Sequence, residues 1–295
     1  MKLNVDDLVE QGLVRKKTYT EGKYRGLSVL KYTKKVFFKN LWHLDERLLE
    51  CRGTVVDEED NVIVLPFKKV FNLGENGTKV DPEREVVCPV KVNGFMLAVT
   101  NTEKYGLIVS TTGTLDSEFA ELGRKWVDTL NKEELLLNGT YLFEVCDKTD
   151  KHIVEEDEGI YLIGAQWNYE SNLVVESTLD IHAEMLGAKR PKVITCAFKD
   201  LDMKVKHEGF MIRDYFTGEV LAKTKSPFYL VKKALLRMGG KRANLMFNHP
   251  KAFKQQIDEE YYDLHEYIID KYSLEEYINF TQDERRTIFE EYFNG

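Results

Sequence analysis

The chain has few cysteines, no metal-type histidine spacing and no long apolar run, and each scarcity removes a class of function. Its 295 residues include 4 cysteines, Cys51, Cys88, Cys146 and Cys196, far apart and without ligand spacing. Three lie in apolar stretches, so they read as reduced core thiols of a cytoplasmic protein, not as a disulfide framework or a zinc site. The 6 histidines show no metal spacing either. No stretch approaches the roughly 20 apolar residues that span a bilayer, and Met1-Lys2-Leu3-Asn4-Val5-Asp6-Asp7 does not read as a signal peptide. A membrane partner is therefore not expected. Internal repeats and low-complexity segments are also missing. What remains, 43% hydrophobic and 31% charged residues, is ordinary for a soluble globular protein with enough chain to bury a core.

The net charge of −8 argues against a nucleic-acid partner until it is resolved along the chain. Residues 244–295 hold 5 basic and 12 acidic side chains, which leaves 1–243 close to neutral. Within 221–243 there are seven bases (Lys223, Lys225, Lys232, Lys233, Arg237, Lys241 and Arg242) and no acid. A basic strip before an acidic tail is a local signal that the total conceals. A solvated face is the plainer reading of such a strip.

Short strands are expected between Lys35 and Val70, among them 52–57 and 62–65 around the acidic turn Glu58-Glu59-Asp60-Asn61. Residues 86–100 alternate as two strands about Asn93-Gly94, a strong hairpin pair. A helix over 116–130 would place Phe119, Leu122, Trp126 and Leu130 on one face. Strands are expected at 105–110, 140–146, 160–167 and 192–198, with a helix at 178–186 ended by Gly187. Glu208–Arg213 and Glu219–Thr224 read as a hairpin across Thr217-Gly218, and the chain turns helical after Pro227. Antiparallel strands followed by helices indicate an α+β protein with a small all-helical C-terminal domain, divided as 1–235 and 236–295. Tyr261, Leu264, Ile268, Tyr272 and Tyr277 with Ile278 would form that domain's apolar stripe, packed on the main domain.

A lysine in the pattern Lys-x-x-Gly can present an amine to a nucleotide phosphate, and the pattern occurs at Lys23, Lys91 and Lys206. Only the residues downstream of each copy separate them. Behind Lys91 come a single acid in an apolar strand, Tyr141-Leu142-Phe143-Glu144-Val145, then Glu208-Gly209-Phe210, then Lys223-Thr224-Lys225. Two carboxylates suited to a divalent cation and two lysines suited to phosphate oxygens make a phosphoryl-transfer set. Lys206 comes too late to have this set behind it, and Lys23 stands far ahead of it in a polar stretch. Each residue alone has a plainer role, as an exposed turn lysine, a solvated acid, or a cross-strand ion pair.

At these residues the chain resembles the covalent nucleotidyltransferases, and within them the phage RNA ligase 1 family and the ligase domain of fungal tRNA ligase. Glu50-Cys51-Arg52-Gly53 and Pro66-Phe67-Lys68-Lys69-Val70-Phe71-Asn72-Leu73-Gly74-Glu75 resemble elements of these RNA ligases and not of DNA ligases. Lys91-Val92-Asn93-Gly94 resembles the nucleotidylation motif, Phe143-Glu144-Val145 the third, Glu208-Gly209-Phe210 the fourth, and Lys223-Thr224-Lys225 the fifth. Asn93 stands where many relatives carry aspartate, as in tRNA ligases, and Thr112 stands where the phage enzymes usually carry lysine.

The resemblance implies an antiparallel-sheet nucleotidyltransferase domain that takes AMP from ATP with magnesium or manganese and seals single-stranded or broken RNA. Such an enzyme would act as a monomer, inside a cell or a phage-infected host, in RNA or tRNA repair. Lys91 would become the lysyl-AMP, helped by Lys223 and Lys225 at the α-phosphate. Glu144 and Glu208 would serve the metal or ribose, and Arg52 and Lys69 the leaving phosphates or the RNA 5′-phosphate. Phe71 would pack beside the nucleotide, Gly94 would admit the ribose, and Tyr229 and Tyr32 are further candidates. The strip Lys232, Lys233, Arg237, Lys241 and Arg242 is the candidate RNA contact. A capping-type guanylyltransferase, a DNA ligase and a non-catalytic RNA-binding relative are the alternatives.

Overall fold

The computed structural model describes residues 1–168 and 173–294. The chain forms two compact units, one of Met1–Leu201 with Phe210–Thr224, the other of Asp202–Gly209 with Lys225–Gly295. The boundary expected at 235 falls inside helix Pro227–Leu236 of the second unit.

The first unit is built on three antiparallel sheets of four strands. The first contains β1 (Val14–Thr18), β2 (Ser28–Tyr32), β3 (Arg52–Val56) and β4 (Val62–Val64) in that order. β5 (Glu85–Pro89) belongs to a second sheet, and β6 (Phe95–Thr102), β7 (Gly106–Ser110), β8 (Gly139–Cys146) and β9 (Gly159–Trp167) form the third in the order β7-β6-β8-β9. β10 (Val193–Ala197), β11 (Met211–Asp214) and β12 (Val220–Lys223) complete the second sheet, ordered β10-β5-β11-β12. The expected hairpin about Asn93-Gly94 is therefore not formed. β5 and β6 lie in different sheets, and Lys91–Gly94 is the crossover between them.

The third sheet is covered on both faces, which is why all eight residues of β8 are buried. Leu27, Val29, Val55 and Val64 of the first sheet's region pack with Ala98, Ile108 and Leu142 on one side. On the other, Leu97, Phe143 and Leu162 pack with Val127, Leu179 and Ala183 from helices Glu118–Val127 and Glu176–Leu186. The buried face of the helix Glu118–Val127 is Ala120, Gly123 and Val127, one residue on from the expected stripe, and Phe119 of that stripe is exposed. Gly123 explains the rotation, because a Cβ there would come within 2.5 Å of Leu97 Cδ1. The helix approaches the sheet through its glycine, so the larger side chains sit at the flanks.

Arg213 of β11 is 1% exposed and bonds Glu176 while donating to the carbonyls of Gly218 at 2.9 Å and Val174 at 2.6 Å. Burial pushes its guanidinium below the usual arginine range, opposed by Glu176. Asp214 next to it accepts from the N–H groups of Phe216 at 3.0 Å and Thr217 at 2.6 Å and from Arg84 at 2.9 Å, which closes the β11–β12 turn.

The second unit has its own core. Tyr261, Leu264, Ile268 and Tyr277 of the expected stripe are buried there with Phe253 and Phe289. Ser226 caps helix Pro227–Leu236 by accepting from Tyr229 N at 3.1 Å, and Ser273 with Glu276 makes a capping box at Leu274–Asn279. No helix among the described residues is long and apolar enough to cross a membrane.

The buried charges can be tested through stability. Glu176→Ala leaves Arg213 in the interior without its carboxylate, and urea unfolding should show a loss of about 3–5 kcal/mol; a loss under about 1 kcal/mol would contradict the burial. The backbone N–H of Thr217, opposed by burial, then the Thr217 hydroxyl and Arg84 hold the Asp214 carboxyl at about 2, below its usual 3.8. A depressed carboxylate stabilises the fold above its ordinary value and loses that contribution as the pH falls towards 2. The stability gap between wild type and Asp214→Asn should therefore be full at pH 5 and close between pH 4 and 2 in acid-unfolding curves.

Candidate active site

Lys91 is held in place by its neighbours. Val90 N donates to Lys192 O at 2.8 Å, and Val92 is buried with Cys146 and Tyr161. Asn93 is buried and pins the chain beyond β8, its N–H donating to Glu156 at 3.1 Å and its Oδ1 accepting from Val154 N at 3.0 Å. Glu156 is thus part of this brace. Gly94 N donates to Glu144 Oε1 at 3.1 Å.

Glycine is needed at 94 for a reason the sequence does not display. A Cβ there would lie 2.1 Å from Val145 O and 2.7 Å from its carbon. The crossover presses directly on β8, and register does the rest, because Phe95 pairs with Val145 and Met96 with Glu144. The lysine's turn and the Glu144 carboxylate are thereby set beside each other by backbone contact.

Both face a cavity of about 390 Å³ inside the first unit. Of the residues singled out from the sequence, Arg52, Lys91, Gly94, Glu144 and Lys223 line it. Lys223 ends β12 and is paired on its outer side, its N–H donating to Phe71 O at 3.0 Å and its carbonyl accepting from Leu73 N at 2.9 Å. The Pro66–Glu75 element thus reaches the site through its backbone. Arg52 Nη1 contacts Met96 Sδ at 3.6 Å. The rest of the wall includes Phe67, Phe95, Met96, Ile163 and Met211, apolar surfaces suited to a base or sugar. Apart from Phe67, nothing in the sequence marks these residues as part of a site. Phe95, Met96, Ile163 and Met211 are ordinary strand hydrophobics, and only the packing of separate sheets turns them towards one space.

Lys69 and Phe71 flank the wall residue Val70 without lining the cavity. The Lys69 ammonium sits 4.2 Å from the Phe71 ring centroid and 5.4 Å from that of Trp42, and 3.9 Å from Glu75. Burial pushes it below the usual lysine range, Glu75 opposes the shift and Arg52 adds to it. Tyr32 stacks edge-on against Trp42 with centroids 4.7 Å apart.

Glu208 and Lys225 belong to the second unit, 3.6 Å apart, with the Lys225 ammonium 4.9 Å from the Tyr229 ring centroid. β12 ends at Lys223, so Lys225 lies beyond the strand. In the basic strip, Lys232 is buried, 3.3 Å from Glu290 and over Phe289 at 5.2 Å, and Lys233 lies 5.8 Å from the Tyr229 ring. Arg242 stands over Phe253 at 5.9 Å. Arg237 comes just after helix Pro227–Leu236 and is exposed, as is Lys241 in helix Gly240–Asn248. The strip is thus divided between core and surface.

Among the described residues no group of three or more His, Cys, Asp or Glu side chains gathers as a metal cage. Glu144, 8% exposed on the cavity wall, is a single oxygen donor group. That fits a magnesium-type ion, which is commonly held by one or two carboxylates together with substrate phosphates.

A domain of antiparallel sheets with a lysine, a carboxylate and three further cations, Arg52, Arg213 and Lys223, around one cavity is a nucleotidyl-transfer architecture. The family model for RNA ligase matches residues 50–262. The chain belongs to the RNA ligase family. Its fold is similar to that of an archaeal ATP-dependent RNA ligase in two forms. One gives a TM-score of 0.60 at 13% identity, over 95% of this chain and 76% of the other. The second gives 0.55 at 14% identity, over 96% and 73%. No match was found among curated proteins.

Gly94→Ala should force the crossover off Val145 and cost about 1–3 kcal/mol. Thermal unfolding read beside the Val145 amide shift in an NMR spectrum checks it; an unchanged melt would mean that the contact yields freely.

Proposed function

We propose that this RNA ligase is ATP-dependent and joins 5′-phosphate and 3′-hydroxyl RNA ends through a lysyl-AMP on Lys91. The observation that carries the reading is Lys91 on the wall of one cavity with Glu144, Arg52 and Lys223, in the motif order of the matched family. The archaeal proteins of similar fold are described as ATP-dependent, which supports the choice of nucleotide. The family match supports RNA over DNA and over capping.

In the first step the neutral Lys91 amine attacks the α-phosphorus of ATP. A P–N bond forms, the bond to the β-phosphate oxygen breaks, pyrophosphate leaves, and the amine proton passes to solvent. Lys223 and Arg52 offset the charge of the phosphates, as phosphoryl transfer requires. Glu144 would hold the divalent ion, magnesium or manganese, which supplies further charge neutralisation when bound. The Gly94 N–H orients Glu144 from the side of the nucleophile. In the second step an oxygen of the RNA 5′-phosphate attacks the same phosphorus, breaking the P–N bond and returning a proton to Lys91. In the third the 3′-hydroxyl attacks the activated 5′-phosphate and AMP departs. The family motifs assign Glu208 to the metal and Lys225 to the α-phosphate. Action as a monomer in the cytoplasm is part of the same proposal; the reduced thiols that favour the cytoplasm are buried at Cys51, Cys88 and Cys146, where burial pushes them up to about 12.

Incubation with magnesium and α-labelled ATP should leave acid-resistant label on the wild type and none on Lys91→Ala or Glu208→Ala. Label from GTP alone would redirect the assignment to capping, and no label with either nucleotide would sink the covalent mechanism. Normal labelling of Glu208→Ala would remove Glu208 from the chemistry. Parallel reactions on 5′-phosphorylated single-stranded RNA and DNA decide the substrate.

A further inference from the structure

Three cations stand directly opposite one another across the first sheet. Arg15 of β1 pairs with Lys31 of β2, and Lys31 pairs with Arg52 of β3. Like charges in directly opposed positions destabilise a sheet, so the row calls for a reason. Its second pairing depends on an irregularity. The register shifts between Leu30 and Lys31, skipping Gly53, so that Arg52 faces Lys31. Gly53 has φ +102°, and a Cβ on it would lie 2.8 Å from Thr112 Cα. The bulge that makes the row is therefore built around a glycine.

No carboxylate lies within salt-bridge distance of any of the three among the described residues. The lysines beside Arg15 are treated differently. Lys16 pairs with Asp6 at 2.9 Å and Asp60 at 3.2 Å, and Lys17 with Asp116 at 2.5 Å. The Lys31 ammonium lies against Gly113, where a Cβ would come within 2.9 Å of Nζ, so a second glycine leaves space for it beside Thr112. Thr112 and Arg52 both line the active-site cavity, and Arg15 is exposed on the edge strand. The row thus leads from the cavity to the surface. Burial, then the charges of Arg15 and Arg52, keep the Lys31 ammonium below the usual lysine range, the state of a cation lacking its counter-ion.

We propose that Arg15, Lys31 and Arg52 form a track for the phosphates of the RNA strand whose end is sealed, with Lys31 supplying beside Thr112 the cation that this position lacks. The inference rests on the RNA ligase reading and assigns Arg15 and Lys31, to which the sequence pattern gave no role. Strands spaced by about 4.8 Å give the row a length of about 10 Å, more than one phosphate of a stacked strand at about 3.4 Å each. Its outward course favours an RNA strand over the β- and γ-phosphates of ATP.

The test compares wild type, the double variant Arg15→Gln/Lys31→Gln and the control Lys16→Gln, which removes a paired charge from the other face. Binding of 5′-phosphorylated single-stranded RNA is titrated at several KCl concentrations, and lysyl-AMP labelling is measured on the same samples. The double variant should bind RNA about tenfold more weakly at low salt, with a log–log salt slope shallower by about 0.7 for each phosphate no longer neutralised. Lys16→Gln should bind as the wild type does. Relief of like-charge opposition should keep the double variant's melting temperature at or above the wild-type value. Equal RNA affinity and slope in wild type and double variant would overturn the track while leaving the ligase reading intact. A labelling loss as large as the loss of RNA affinity would give the row to ATP and overturn it too. Wild type that neither labels nor binds RNA would overturn both readings together.

Discussion

The contact between Gly94 and the Val145 carbonyl is the constraint on which the rest of the site depends. It presses the crossover from β5 to β6 onto β8 so closely that no side chain fits between them. Lys91 is placed at the cavity by that contact, and Glu144 receives the Gly94 N–H across the same gap. The lysine and the carboxylate are positioned by backbone, whose geometry is stiffer than that of long side chains. Asn93 extends the arrangement by binding the Val154 and Glu156 region from both its backbone and its side chain. An aspartate there could still accept from Val154 N, but would bring a second negative charge towards Glu156.

Covering the third sheet on both faces serves the same end. The buried strand β8 cannot shift without exposing its core, so Glu144 is carried on one of the most restrained elements of the first unit. The charged groups around the cavity come from several elements: Arg52 from β3, Lys91 from the crossover, Glu144 from β8 and Lys223 from β12. Phosphoryl transfer asks mainly for positioned charge, and a cavity assembled from separate rigid strands meets that need with little side-chain entropy left to lose on binding. Arg213 shows the other use of a buried cation. Fully enclosed against Glu176 and two carbonyls, it stabilises the wall.

Most of the α+β class and many of the elements were legible in the sequence. The strands at 52–56, 62–64, 106–110, 139–146 and 159–167 and the helix ended by Gly187 are dictated by periodicity and turn chemistry. The strand β1 was hidden because Arg15, Lys16 and Lys17 fill three of its five positions and leave no hydrophobic alternation to read. The Asn93-Gly94 hairpin failed for a related reason. A two-residue turn signal reports local preference, whereas β5 finds its partners in β10 and β11, far along the chain. The division of the C-terminal part at Thr224 and Lys225 was also hidden, since a basic strip looks the same whether its lysines face solvent or, like Lys232, are buried beside a half-exposed carboxylate.

By itself, the sequence determined the family and the order of the motifs and singled out Lys91 as the candidate nucleophile, because covalent chemistry requires particular functional groups and those are written residue by residue. Tertiary structure decided which hydrophobics became cavity wall and why Gly94 must be glycine. It also decided which cations were left facing one another without a carboxylate. Those properties depend on strand register and sheet packing, contacts between segments tens of residues apart that no local pattern encodes.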